Sequence, residues 1–495
     1  MKTVLGIDLG TQSLKLVFYD YRTRRVAAAA SAPLDLHQDD HGAAEQQADW
    51  WLTALHAALR EVGDDVRRSV QAIAVSGQQH GFVPVAASGE VLAPVKLWCD
   101  TSTVAECDEI MAAYGGPQKC LDEVGNLVLP GYTASKIRWL AKTDPQTYGR
   151  MDTILLPHDY LNFYLTGERG MEAGDASGTG FLDIRRREWS ADMLAAIDPE
   201  RDLSRCLPPL RRGIETIGLV NAAAARSTGL PAGVPVATGG GDNMMGAIGT
   251  GNVSPGKVTM SLGTSGTVYA HADQPIMDPR GEIAAFCSST GGWLPLMCTM
   301  NCTVTTELMR GVLNADITAF EQAVSSAPRG AGGIVTLPFF NGERTPNLPR
   351  AKACIVGLDS HNMRRENLLR AALEGATFAL RYGVERLCEL GIDASGILLT
   401  GGGVGSPTWR QAVADICDAP VSVLQQDEGA GFGAALQALA VLDGIGQGEL
   451  QAFVDSHLAI DADLSCEPDP EAVNFYDTAY ADYRTAVDAV TPLYR

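Results

Sequence analysis

The sequence predicts an α/β protein built from two duplicated halves with a ligand cleft between them. Three observations carry this reading. A chain of 495 residues that is 46% hydrophobic exceeds what one core can use, since single cores stop growing at roughly 250–300 residues. A strand–Gly–Thr–strand pattern around Leu9-Gly10-Thr11 returns at Leu262-Gly263-Thr264. A glycine triplet after an apolar strand, Gly239-Gly240-Gly241, returns as Gly401-Gly402-Gly403.

In chain order, residues 3–7 read as a strand, 8–13 as a glycine-containing turn and 14–19 as a second strand, a β-hairpin with an acid at its tip. A helix is expected from Asp49, acting as its cap, because Leu52, Leu55, Leu59 and Val62 recur at helical spacing. Residues 72–76 form the next strand and open onto the polar loop Gly77-Gln78-Gln79-His80-Gly81. The buried strand 236–238 runs into Gly239-Gly240-Gly241-Asp242-Asn243, where missing side chains let backbone approach a neighbour closely.

The second copy follows with strands 258–261 and 267–270 around Gly263-Thr264-Ser265-Gly266. A long helix over 362–390 places Leu369, Leu373, Ala376, Leu380, Val384 and Leu387 in one apolar stripe, which is core packing. Strand 397–399 precedes the second glycine triplet. A period near half the chain is too long for a solenoid. It puts a boundary near Gly249-Thr250-Gly251, with domains 1–249 and 250–495. Ligands gather at loops beyond strand ends, so the cleft between the copies is the expected site.

A net charge of -21, from 38 Lys+Arg against 59 Asp+Glu, argues against nucleic acid and anionic membranes as partners. A small phosphate-bearing anion can still be held by backbone amides and a metal ion. The opening apolar run is broken by Asp8, and the run 430–442 is interrupted by Gln437, so neither a secretory signal nor a bilayer span is expected. Eleven cysteines without a CxxC pair suit reduced thiols in a cytoplasmic protein. Cys298 and Cys302 have no nearby His to complete a zinc set.

Candidate chemistry concentrates on a few residues. Asp8 sits where a strand gives way to a Gly-Thr turn, able to organise magnesium while the turn's amides face phosphate. An Asx-turn would also place an acid there, but the second hairpin carries Ser261 at that position and forms without it. Three glycines around Asp242 leave room for a substrate hydroxyl beside a general base; the second copy has Val404 there. Gln79 and His80 offer amide and imidazole groups to a polyhydroxy ligand, with Trp98 to pack on C–H faces and Asp100 to accept hydroxyl protons. The loops 263–266 and 401–406 can cradle phosphates, but neither is followed by the Lys and Ser/Thr of a Walker motif.

These motifs make the chain similar, over essentially its full length, to the FGGY carbohydrate kinases, which share the actin-like ATPase (ribonuclease H-like) fold. Two signature segments are recognisable, 131–142 and 351–375, the first departing at Thr143. GIDLGTQS, SGQQHG, LWCD, LPHDYLN and GDASGTG resemble most the members that phosphorylate D-xylulose, although many of these have Met at Gln79 and Asn at Cys99. The resemblance implies ATP and Mg2+ as cofactors, Asp242 as base and Asp8 near magnesium, through water. Gln79, His80, Trp98, Asp100 and Asn243 would line the sugar pocket of the first domain. Thr11, Gln12, Ser13 and Lys15 match the phosphate-facing hairpin; Thr264, Gly402 and Ser406 match nucleotide contacts of the second domain, which the stretch 303–307 also approaches. A related ketose or polyol such as ribulose or sedoheptulose is the alternative substrate. A sugar-independent ATPase and a catalytically silent sensor are remoter alternatives. Relatives of this kind are commonly homodimers.

Overall fold

The computed structural model describes residues 1–425 and 429–494. In the first half, β1 (Thr3–Leu9) and β2 (Ser13–Asp20) pair antiparallel with Asp8 opposite Lys15, and β3 (Arg25–Pro33) extends them. Both hairpin strands are longer than the sequence pattern indicates, because backbone pairing takes in Asp8 and Leu9 on β1 and Ser13 and Asp20 on β2. Helix α1 (Ala48–Arg60) buries Trp51, Leu55 and Leu59. Its N-cap is Gln47, and Asp49 lies in the first turn, where its charge favours the helix dipole without capping it. β4 (Val70–Gly77) lies parallel to β1.

Helices α2 (Thr133–Thr143) and α3 (Pro157–Thr166) follow, then β5 (Thr216–Leu219), β6 (Pro235–Ala237), the two-residue β7 (Gly240–Gly241) and α4 (Asp242–Gly249). The sheet runs β5-β6-β4-β1-β2-β3, with β7 also pairing to β4.

The second half begins with the hairpin β8 (Val258–Leu262) and β9 (Gly266–Ala270), then β10 (Ala284–Cys287), β11 (Trp293–Thr299) and α5 (Thr303–Val312). After α6 (Arg365–Glu389) come β12 (Ile397–Thr400), α7 (Pro407–Cys417), β13 (Val421–Ser422) and α8 (Gly429–Asp443). This sheet runs β10-β11-β9-β8-β12-β13. The duplication is therefore visible in the topology. In both sheets a hairpin is flanked by an antiparallel strand on one side and two parallel strands on the other.

The six expected stripe residues of α6 are buried, and so are Asn367, Arg370 and Glu374 around them, because the helix is wrapped on several sides. Buried Arg370 bonds to Glu374 at 2.7 Å and to the Tyr476 hydroxyl at 2.6 Å, satisfying charge that burial would otherwise penalise.

The apolar run 430–442 belongs to α8 and packs on the first sheet, not the second. Phe432, Leu436 and Leu439 share a core with Val4, Ala74 and Ala247. The approach is backbone on backbone: a side chain on Gly6 would run into the Gly431 carbonyl, and one on Gly433 into the Met245 carbonyl. Among the described residues no helix is long and apolar enough to cross a membrane.

Candidate active site

The site is assembled where strands of the first sheet end. Ser76 on β4 is flanked by Asp8 of β1 and by Gly240 of β7, which brings the hairpin acid beside the glycine loop. Each glycine has a reason. Gly239 has φ +72°, and a side chain there would meet the Val75 carbonyl. A Cβ on Gly241 would lie 2.7 Å from Cγ of Gln79, closer than real Cβ contacts allow. Asp242 then opens α4, and its Oδ1 accepts from the backbone N–H of Asn243 at 2.7 Å and from the Asn243 side-chain amide at 3.0 Å. The same amide donates to Oε1 of Gln79 at 2.9 Å.

Both acids are perturbed. Burial raises the pKa of Asp8, partly offset by a hydrogen bond from Ser76 Oγ at 2.9 Å and by the charge of Lys15. Burial pushes Asp242 up to about 7, and the negative charge of Asp8 adds to the shift. A carboxylate poised near neutrality suits a general base. Among the described residues no group of three or more His, Cys, Asp or Glu gathers as a metal site. Half-buried Asp8 nevertheless fits a hard divalent cation, since Mg2+ is typically held by one or two carboxylates with substrate phosphates supplying further oxygens.

In front of these acids lies a cavity of about 370 Å³ lined from both halves, by Gln79, His80, Trp98, Tyr132, Asp242 and Asn243 on one side and Thr264, Phe286 and Arg344 on the other. His80 is its most constrained member. Its φ is +65°, a region disfavoured for a side-chain-bearing residue. Its ring lies 4.8 Å from that of Tyr132 and 5.5 Å from that of Phe286. Burial, with Lys136 and Arg344, depresses its pKa well below the usual value, so the ring is neutral. Its Nδ1 is buried against Gly178 and has no partner among the described residues.

Two groups hold this backbone. Nζ of Lys136 on α2 donates to the His80 carbonyl at 2.8 Å and to the Gly131 carbonyl at 2.7 Å, and Thr133 Oγ1 reaches the His80 carbonyl at 3.1 Å. Gly131 is packed against the Trp98 carbonyl, so one buried lysine braces the His80 and Trp98 loops together. Burial pulls Lys136 down to about 7, against the favourable charge of Asp100. On the other side, the His80 backbone faces Asp175 and lowers its pKa against the effect of burial.

Asp175 is itself paired with Nδ1 of His158 at 2.9 Å, and His158 Nε2 lies 2.9 Å from Asp159. Burial opposes charge on His158, but the two carboxylates outweigh it and raise its pKa well above the usual value. Gly178 leaves room for the His80 ring, which any side chain there would strike.

The hairpin residues stand close by. Trp98 Nε1 donates to Thr11 Oγ1 at 2.9 Å, and Thr11 Oγ1 donates to Gln78 at 3.1 Å. Gln12 and Lys15 are exposed and Ser13 opens β2. In the second half the two glycine-rich loops meet at neighbouring strand ends, since Gly401 and Gly403 pack on Leu262. Gly402 is exposed with open space above it. Helix α5 starts at the same loop, Thr303 N–H bonding the Gly263 carbonyl at 2.9 Å, which brings the stretch 303–307 to it.

Two expected ligand contacts are used otherwise. Asp100 is fully buried outside the cavity. Its oxygens take Lys96 Nζ at 3.0 Å, Ala44 N–H at 2.9 Å and the Ser102 hydroxyl at 2.6 Å, so it shapes the loop carrying Trp98. Ser406 caps α7, its Oγ accepting from Trp409 N–H at 3.1 Å and donating to Glu321 at 2.5 Å.

Sequence reasoning did not single out Tyr132, Lys136, His158, Asp175, Phe286 or Arg344. The first four lie within the quoted segments 131–142, 156–162 and 174–180, where an unpaired lysine among apolar helix positions was a usable signal. Phe286 and Arg344 carry none, because tertiary folding alone brings them to the cavity.

A duplicated two-sheet fold with an acid-lined cleft between its halves is the architecture of a carbohydrate kinase, and the comparisons agree. Residues 3–249 match the N-terminal domain and residues 258–442 the C-terminal domain of the FGGY family of carbohydrate kinases. The chain belongs to that family. It is 42% identical over 488 residues to the xylulose kinase of Haemophilus influenzae, covering 97% of this chain and 98% of that one. It is 33% identical over 495 residues to the xylulose kinase of Escherichia coli, covering 99% of each. The crystal structure of xylulose kinase from Rhodospirillum rubrum superposes with a TM-score of 0.89 at 28% identity, covering 100% of both chains.

Proposed function

We propose that the chain transfers the terminal phosphoryl group of ATP to D-xylulose, giving D-xylulose 5-phosphate. The observation that carries this reading is the placement of Asp242, at a pKa of about 7, in a cavity lined with Gln79, His80, Trp98 and Asn243. Asp242 accepts the proton of the sugar's terminal hydroxyl as the new P–O bond forms. The Asn243–Gln79 bridge orients the polar wall, and the His80 ring lies against the sugar.

In this reading residues 1–249 hold the sugar and residues 250–495 mainly the nucleotide. The phosphates lie between the hairpin 11–15 and the loops at Thr264 and Gly402. Asp8 would hold Mg2+, which when bound neutralises phosphate charge. Closure of the halves, with Phe286 already against His80, excludes water and so limits ATP hydrolysis. Eleven free cysteines accord with a reducing compartment.

The test is ADP release with MgATP and a panel of ketoses, aldoses and polyols, compared as kcat/KM against a sugar-free control. Preference for D-xylulose is expected. Preference for ribulose or sedoheptulose would retain the mechanism and replace the substrate; turnover indifferent to sugar would overturn it.

A further inference from the structure

A second cavity, of about 530 Å³, lies away from the catalytic acids and has the chemistry of an anion site. It is lined by Arg187, Arg211 and Arg212 from the first half and by Ser288, Thr290 and Gln447 from the second, with Glu215 as the single acid in its wall. Three guanidinium groups against one carboxylate is unexpected in a chain of net charge -21.

Arg187 is engaged with the protein, while Arg211 and Arg212 are largely free of it. Arg211 makes no ion pair among the described residues, and its Nε is buried without a partner. Arg212 is 92% exposed and only 3.8 Å from Glu215 at its nearest. Arg187 adopts φ +56° in a hairpin turn, and its side chain reaches across to the second half. There its guanidinium lies 4.2 Å from the Trp293 ring and donates to the Gly292 carbonyl at 3.0 Å, while its Nε is buried and unpartnered.

The cavity also sits on a junction. Gly213, next to Arg212, packs so tightly on the Ser289 carbonyl that no side chain fits. Its own carbonyl accepts from Gln437 at 2.5 Å and from Thr238 at 2.9 Å. Gln437 in turn holds Gly239, accepting its N–H at 2.9 Å, at the start of the loop that ends in Asp242. The polar interruption of the apolar run 430–442 is thus a tie between the cavity's edge and the catalytic loop.

We propose that this cavity binds a small phosphate monoester, bridging the two halves. Forked guanidinium donors, with one hydroxyl proton left over from the Ser288–Thr290 hydrogen bond at 2.7 Å, match the oxygens of a phosphate dianion. The volume exceeds that of inorganic phosphate and leaves room for a short polar carbon skeleton.

The test is calorimetric titration of the full chain with glycerol 2-phosphate, the catalytic cleft being filled with D-xylulose and a non-hydrolysable ATP analogue. Saturable binding is expected, weakened about tenfold or more by Arg211→Met and several-fold by Arg212→Glu, whose exposed side chain leaves folding intact. Trp293→Phe removes any fluorescence change that accompanies binding. No saturable binding, or equal binding by wild type and Arg212→Glu, overturns the proposal. So does binding of citrate with none of glycerol 2-phosphate, which would assign the cavity to carboxylates.

Discussion

The side-chain amide of Asn243 lies 2.9 Å from Oε1 of Gln79 while also donating to Oδ1 of Asp242. The candidate base and the polar wall of the sugar pocket are therefore held by one group. Asn243→Ala should raise the KM for sugar and lower kcat together, each roughly tenfold, since a lost buried hydrogen bond is worth about 1–2 kcal/mol. Steady-state kinetics with both substrates varied checks this; an effect confined to the KM for ATP would contradict it.

Asp242→Asn should lower kcat by about 10²–10⁴, the usual contribution of a positioned base. In wild type, kcat/KM should rise with pH through the neutral range, because Asp242 must be deprotonated to act and burial places it at about 7. Asp8→Asn removes a like charge, so the residual activity of that variant should have its acid limb at lower pH. A limb that stays put would detach Asp8 from Asp242.

The same shift has a stability consequence. An acid whose folded pKa is raised loses stabilisation as pH climbs from its unfolded value, 3.8, to its folded value of about 7. In EDTA, the melting temperature of Asp242→Asn should therefore exceed that of wild type by a margin that opens between those values and is flat above them. Differential scanning fluorimetry across pH reads it directly; a margin independent of pH would refute the sign.

Lys136→Met should leave the KM for ATP unchanged and raise that for sugar by about tenfold, because it frees the carbonyls of His80 and Gly131 without touching the nucleotide loops. Arg in its place is too large for a site with no exposure. A proportional loss of both affinities would indicate general unfolding instead.

Gly241→Ala should cost about 1–3 kcal/mol through overpacking on Gln79, with most of the activity lost. Pairing it with Gln79→Ala should restore part of the stability, measured by urea denaturation.

What could be read from sequence was whatever repeats or alternates locally. The two hairpins, the two glycine triplets and the stripe of α6 follow from periodicity and turn chemistry. Asp242 was legible because only one copy carries it. Asp100 was misread because a carboxylate near a tryptophan looks the same in sequence whether it faces a ligand or Lys96. The brace at Lys136, the His158–Asp175 pair and the wall at Phe286 depend on residues joined only by folding, where no local pattern reports who meets whom.

The seating of α8 on the first sheet has a consequence for how the molecule comes into being. Gly6 waits on Gly431, and nearly the whole chain must leave the ribosome before they can meet. Until then one face of the sheet that carries Asp8 is bare and apolar. Contacts so distant in sequence form slowly, so the nascent N-terminal half needs shielding during synthesis, and a truncation that removes α8 should yield an aggregating fragment, not a free-standing sugar-binding lobe.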